Sequence, residues 1–244
     1  MKKRLLVLGL AFTMLAATAC GTSSDGGNKT SKADKTVTAT SNSDKTSETQ
    51  KNDDKKDDAK ESYKSADDIT MDDLKNHEET PAEDFKYRDK SNGEAVIKEY
   101  TGDDPIVVIP NEIDGKKVVD FGKIFTNDKD IVAVKVGDNV EEIADGAFTN
   151  CDNLKYVILG KNVKKINDNN VGGKKLEALE LNDGLEELGT GSSTTGVIVM
   201  GDIDVKIPES VKKMDFACEK AMIVKAGSYA ESYAKENNMD YRVE

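Results

Sequence analysis

The sequence predicts an α/β, mainly β solenoid, in which parallel strands stack coil upon coil. Residues 131–143, 154–166 and 176–188 are near-copies that recur every 22 or 23 residues, each apolar at its positions 1, 4, 6, 10 and 13. A fixed period of this length is typical of solenoids. We expect about five coils, with a β-hairpin cap at the N-terminal end and a helix-strand cap at the C-terminal end.

Each repeat contains one short strand, because apolar and polar residues alternate at its centre. Val134 and Val136 show this alternation in the first copy, and Val157 and Leu159 show it in the second. Side chains two residues apart in a strand point to the same face. One coil cannot bury such a face alone, so we expect neighbouring coils to pair their strands in a parallel sheet.

The N-terminus has the pattern of an export signal. Lys2, Lys3 and Arg4 precede a short apolar run, which ends at Ala17-Thr18-Ala19-Cys20-Gly21. Basic, apolar and small-residue regions in this order are typical of signal peptides, and we assign residues 1–19 to one. Small residues before a cysteine resemble the lipobox of bacterial lipoproteins, although Ala17 stands where that family usually has leucine. The resemblance implies cleavage before Cys20 and a diacylglycerol on its thiol.

This resemblance also implies a location. A lipidated chain would be exported and anchored to the outer face of the bacterial cytoplasmic membrane, in or near the cell wall. Ordinary cleavage after Ala19, with release into the medium, is the alternative.

Residues 20–80 are predicted to form a lipidated, disordered tether. Ser, Thr, Lys, Asp and Asn dominate the segment, and Ile69 and Leu74 are among its few aliphatic residues. So polar a stretch buries too little apolar surface to offset its conformational entropy. Thr70-Met71-Asp72-Asp73 could cap one short helix there.

The folded domain is predicted to span residues 81–244 and to begin with the hairpin. Phe85 and Tyr87 alternate with polar residues, Asn92-Gly93 is a strong turn signal, and residues 95–100 return. At the other end, Ser228 and Glu231 have the spacing of a helix capping box, and alternating residues from Met239 to Val243 predict a last strand. Solenoids need such elements to cover their apolar ends.

A longer motif follows the first repeat copy. It runs Ile143-x-x-Gly146-Ala147-Phe148-x-Asn150-Cys151-x-Asn153-Leu154. This motif resembles the BspA type of bacterial leucine-rich repeat, and the resemblance covers the chain from about residue 84 to its end. It implies a coil of strand, turn, second short strand and a helical turn anchored by Phe148 in the interior. It also implies a role in adhesion or protein interaction.

The next two coils lack this phenylalanine. Residues 167–173 and 189–196, rich in Gly, Asn, Ser and Thr, stand in its place. If part of the solenoid is adapted to a partner, these two segments are the predicted surface.

Charge and residue types exclude several functions. The chain has 47 acidic and 35 basic residues, a net charge of −12, which argues against nucleic acid as a partner. The single histidine, His77, falls in the predicted tether, so we expect no Ser-His-Asp or Cys-His catalytic system and no histidine metal site. No phosphate loop or dinucleotide motif is present, and we expect no catalytic residues and no cofactor.

Metal binding and disulfide formation are also disfavoured. The groups Asn127/Asp128/Asp130 and Asp168/Asn169/Asn170 could supply calcium ligands, but they lack EF-hand spacing. Cys151 and Cys218 lie about three coils apart, too far for a bridge, so we predict two free, largely buried thiols.

The sequence therefore predicts a non-catalytic, lipid-anchored surface protein that binds a protein partner through its solenoid. The alternative is a cell-wall-associated structural or polysaccharide-binding protein, although the chain has no tryptophan for stacking on sugars.

Overall fold

The computed structural model describes residues 65–189 and 196–244, which belong to one compact unit, Asp58–Glu244. The predicted signal peptide, Cys20 and most of the predicted tether lie outside the described residues, as do residues 190–195.

Two helices and eighteen strands are defined in the described part of the chain. The helices are α1 Met71–Asn76 and α2 Tyr229–Glu236. The strands before the third coil are β1 Phe85–Asp89, β2 Ala95–Tyr100, β3 Ile106–Val108, β4 Glu112–Ile113, β5 Lys116–Asp120, β6 Ala133–Lys135 and β7 Glu142–Ile143. The next are β8 Tyr156–Ile158, β9 Lys165–Ile166, β10 Asn169–Val171, β11 Ala178–Glu180, β12 Glu187–Leu188 and β13 Val197–Val199. The last are β14 Val205–Lys206, β15 Lys213–Met214, β16 Phe216–Cys218, β17 Met222–Val224 and β18 Tyr241–Val243.

The strands confirm a parallel β-solenoid of about six turns. The principal sheet has the order β11-β8-β6-β3, and Val134 of β6 pairs with Val157 of β8. A second sheet, β15-β12-β9-β7, runs along another side of the coils. The sequence predicts five turns. The structure has a sixth, which begins at β17, and the three residues of β17 do not show the repeat pattern.

A third sheet replaces the phenylalanine corner in the later coils. It has the order β10-β13-β16, with Val171, Val197, Val199 and Phe216 buried. Branched and aromatic side chains fill the interior from these strands, so the coils keep a packed corner without the helical turn. The sequence around β10 is short and rich in asparagine and glycine, so it does not show the apolar pattern that predicts a strand.

The earlier coils have the predicted aromatic corner. Phe148 is buried, and its ring centroid lies 5.9 Å from that of Phe121 and 6.2 Å from that of Phe125. The rings of Phe125 and Phe148 are nearly parallel, at 6°. This confirms that Phe148 fills the interior at the corner of its coil.

The turns bind one coil to the next through asparagine side chains. Asn153 donates to the carbonyl of Lys129 at 2.6 Å, as its predicted turn role requires. Asn150 instead donates to the side-chain oxygen of Asn127 at 2.7 Å, and both asparagines have positive φ. Asparagine tolerates this left-handed conformation, which makes it suited to the turn.

Both terminal elements are present. β1 and β2 form the predicted antiparallel hairpin, and β2 also pairs with β5 in parallel. At the other end α2 begins after Ser228, whose side chain accepts a hydrogen bond from the Glu231 amide at 3.2 Å. β18 then pairs with β17.

Residues 65–80 differ most from the prediction. They were assigned to the disordered tether, but they pack on the outward face of the principal sheet, and we refer to them as the strap. Ile69 and Leu74 are both 0% exposed. The predicted capping box is confirmed, because Thr70 and Asp73 bond each other's backbone amides at the start of α1. Two aliphatic side chains are enough to hold this polar segment on the solenoid, because the sheet offers an apolar face on which they pack.

Candidate interaction surfaces

An open groove lies where the hairpin meets the second sheet. Its volume is about 810 Å³. The hairpin, β5 and the turns of the first coils line it, and the lining residues are Arg88, Lys90, Asn92, Glu94, Val96, Val119, Asp120, Lys123, Asn139, Glu141, Glu142, Ala144, Asp145 and Asn167.

Strand pairing places the groove residues together. Arg88 of β1 lies opposite Val96 of β2, and Val96 pairs with Asp120 of β5. Side chains directly opposite on paired strands lie on one face of the sheet. Residues distant in sequence are therefore brought to one surface, which spacing alone does not reveal.

A hydrogen bond fixes one side of the groove. The Asn167 amide donates to the carboxylate of Glu142 and, at 3.0 Å, to the carbonyl of Ile143. The bond from Asn167 and the nearby Lys165 ammonium lower the pKa of Glu142. Glu142 is therefore an acceptor and an anion at neutral pH.

The groove carries both signs of charge. Its bases are Arg88, Lys90 and Lys123, and its acids are Glu94, Asp120, Glu141, Glu142 and Asp145. Lys90 and Glu94 pair at 2.9 Å. Such a surface offers charged hydrogen-bonding groups to a polar partner.

From the groove onward, charge alternates from coil to coil along the second sheet. Paired residues at the same place in successive repeats are Glu141-Glu142, Lys164-Lys165, Glu186-Glu187 and Lys212-Lys213. Neighbouring coils therefore meet with opposite charges, as between Lys165 and Glu142 at 3.4 Å and between Lys213 and Glu187 at 3.5 Å. Exposed pairs of this kind contribute little stability each, but like charges in register would repel. This pattern was visible in the sequence and was missed.

The outward face of the principal sheet is covered by the strap. Ile69 and Leu74 form a small hydrophobic cluster with Ile106, Val108 and Tyr156. Lys155, 7% exposed, reaches into this contact and pairs with Glu177 at 3.0 Å.

The structure describes only part of the two segments predicted as partner surfaces. Asn167 and Asp168 are each 9% exposed, and of the first segment only Asn167 lines the groove. In the second, residues 190–195 lie outside the described residues. Gly189 and Gly196 at its ends have positive φ, and a Cβ at either would come within 2.3 Å of the Asp215 carbonyl oxygen. Both glycines are required for close packing.

Cys151 and Cys218, the two cysteines in the described part of the chain, are free, and burial suppresses their chemistry. Cys151 is buried and donates from Sγ to the Phe125 carbonyl at 2.8 Å, whereas Cys218 is half-buried. Burial raises the pKa of the Cys151 thiol to about 12 and raises the pKa of Cys218 as well. A thiol in this state is a poor nucleophile, because the thiolate is the reactive species.

His77 lies in the strap, not in a disordered tether. Its Nε2 is 3.5 Å from a carboxylate oxygen of Asp104, and its Nδ1 is 3.0 Å from the carbonyl of Glu78. These contacts hold the ring between a carboxylate and a backbone carbonyl.

Two of the side chains considered for calcium, Asn127 and Asp128, accept hydrogen bonds within the turns. The Asn127 side-chain oxygen accepts from Asn150, and one Asp128 oxygen accepts from the amides of Asp130 and Ile131. Across residues 65–189 and 196–244, the structure shows no group of three or more His, Cys, Asp or Glu side chains placed to hold a metal ion. Within the same ranges, no helix has the length and apolar character needed to cross a membrane.

Comparison with known protein families finds the same kind of repeat in this chain. Residues 122–197 match the BspA type leucine-rich repeat region in six copies. A leucine-rich repeat protein of T. pallidum is 25% identical, with a TM-score of 0.47, over 60% of this chain and 71% of that chain. A leucine rich cell surface protein from Faecalibacterium prausnitzii is 18% identical, with a TM-score of 0.34, over 56% of this chain and 53% of that chain. No curated protein matches.

Proposed function

We propose that this chain, which carries a BspA-type leucine-rich repeat region at residues 122–197, is a non-catalytic surface protein that binds a protein partner. Leucine-rich repeat solenoids are typically not enzymes and instead present extended binding surfaces. The observation that carries the proposal is the open groove of about 810 Å³ between the hairpin and the second sheet, which is lined by charged side chains.

The composition of the groove favours a protein over a polysaccharide. None of the described residues that line it is aromatic, so it offers no ring for a sugar to stack on. Its arginine, lysines and carboxylates can instead pair with charges of a protein surface, which gives orientation and specificity. The half-buried Val119 adds a small apolar contact.

We further propose that the protein is exported and held at the membrane by a lipid on Cys20. The support is the sequence around Cys20, which has the small residues and position of a lipid attachment site. Replacing Cys20 with alanine should move the protein from the membrane fraction to the medium. The matched control is Cys218→Ala, which should stay in the membrane fraction. A Cys20→Ala protein that still sediments with membranes would contradict the anchor.

The partner proposal is tested by crosslinked capture with the full chain as bait. Bacterial surface and host extracts supply candidate proteins, and a glycan array supplies polysaccharides. Arg88→Glu reverses an exposed charge of the groove, and Lys98→Glu makes the same change on the same hairpin outside the groove. We expect Arg88→Glu alone to weaken capture by about tenfold or more, as for a central charged contact.

Two results would oppose this proposal. Equal capture by both variants would place the binding surface elsewhere. Glycan binding without any captured protein would favour the wall-associated, polysaccharide-binding alternative.

A further inference from the structure

The strap covers an apolar surface that is separate from the core of the solenoid. Ile69 and Leu74 pack with Ile106, Val108 and Tyr156, and these side chains form a cluster distinct from the one that fills the coils. Removing the strap would uncover this outward face and leave the interior cluster in place. Elements with few buried contacts open at a small fraction of the cost of global unfolding.

Polar contacts attach the strap to the same face. Lys155 Nζ lies 3.3 Å from the carbonyl of Ile69, and Lys75 pairs with Glu180 on β11 at 2.6 Å. The carbonyl contact and the Lys155–Glu177 pair make Lys155 a bridge between strap and sheet. A segment able to replace the strap must therefore offer two aliphatic side chains, a carbonyl for Lys155 and a cation for Glu180.

Within the described residues, the polypeptide continues from the strap into the solenoid at the C-terminal end of the strap. There Thr80 is clamped to β3, since its amide donates to the Val108 carbonyl at 3.1 Å and its hydroxyl accepts from the Val108 amide at 3.0 Å. Residues 77–79 form the link between this clamp and α1. Three extended residues reach about 10 Å, so a released α1 can contact only a molecule that lies close by.

We propose that the outward face of the principal sheet is a docking site for the strap of a second copy of this chain. The exchanged contacts are identical to those within one copy, so complementarity is already present in the structure. Exchange of an identical element is a low-cost route to dimers. The strap of the same copy competes for this face with an effective concentration of order millimolar. Exchange therefore requires a high local concentration of the protein. The short link makes the resulting dimer compact, with principal sheets apposed.

A crosslinking experiment on the wild-type full chain tests this exchange. Heavy-isotope and light-isotope preparations are mixed over a range of concentrations, incubated and treated with a carbodiimide, which joins paired lysines and carboxylates. Lys75–Glu180 reports the strap, because its two partners lie on the strap and on the sheet. Lys225–Glu209, also at 2.6 Å and within the coils, is the internal control.

The expected result is a mixed-isotope Lys75–Glu180 product that increases with protein concentration, while the Lys225–Glu209 product stays within one isotope. Lys75–Glu180 products confined to one isotope at every concentration would overturn the proposal. Mixed products at both pairs would also overturn it, because they would indicate unspecific association.

Hydrogen exchange on the same wild-type chain gives a second test. Amides of α1 should exchange at least tenfold faster than those of β8, because the strap opens without the coils. If α1 amides exchange only as fast as those of β8, the strap does not leave independently and the proposal is wrong.

Discussion

Replacing Phe148 with alanine removes one of the three phenyl rings that fill the corner of the early coils. Phe148 is 2% exposed and lies about 6 Å, centroid to centroid, from both Phe121 and Phe125. Phe121 and Phe125 both lie in the preceding coil and are themselves fully buried, so they cannot move freely to fill the space. The substitution should therefore leave a cavity at the junction of two coils.

The expected loss follows from measured costs of such cavities. Truncation of a buried phenylalanine to alanine lowers the free energy of unfolding by about 3–5 kcal/mol. Domains of this size have a total stability of roughly 5–15 kcal/mol. For 150–250 residues each kcal/mol shifts the melting temperature by about 2–4 °C, so we expect a drop of roughly 6–20 °C.

Circular dichroism is the suitable assay, because the chain has no tryptophan to report by fluorescence. Urea and thermal unfolding of Phe148→Ala are compared with wild type and with Tyr229→Ala, whose side chain is 44% exposed. Tyr229→Ala should change stability by less than about 1 kcal/mol. A loss of less than about 1 kcal/mol for Phe148→Ala would refute the packed corner.

Three further predictions concern the turns and the thiol. Gly160→Ala should destabilise the coil by about 1–3 kcal/mol in urea unfolding, because its Cβ would lie 2.3 Å from the Gly137 carbonyl oxygen; an unchanged midpoint would contradict this packing. Asn153→Ala should cost about 1 kcal/mol in the same assay by removing its bond to Lys129, and no loss would mean that water replaces it. Cys151 should add pH dependence. Its folded pKa of about 12 exceeds the unfolded value of about 8.5, so between these values the unfolded chain releases a proton that the folded chain keeps. Stability should fall over this range relative to Cys151→Ala, and parallel curves would contradict the burial of the thiol.

Much of the architecture could be predicted from the sequence, because repetition amplifies weak local signals. Apolar positions 4 and 13 of the three repeat copies lie in strands of the principal and second sheets, respectively. The position of Phe148 and the Asn92-Gly93 turn were also predicted, since each depends on local geometry. The third sheet could not be predicted, because Val171 and Val197 are brought into one sheet only by the pairing of β10 with β13.

The strap and the groove could not be predicted in the same way. The polar composition of residues 65–80 predicts disorder, but Ile69 and Leu74 pack on strands 32 to 87 residues away in the chain. The groove similarly joins Arg88 to Asn167 through tertiary packing. Both surfaces form between elements distant in the chain, where a one-dimensional pattern carries little information.

The most direct test of the proposed function is the affinity of the captured protein for wild type, Arg88→Glu and Lys98→Glu full chains, measured side by side. The groove account predicts that Arg88→Glu weakens binding by about tenfold or more and that Lys98→Glu binds like wild type. Equal affinities for all three chains would contradict it.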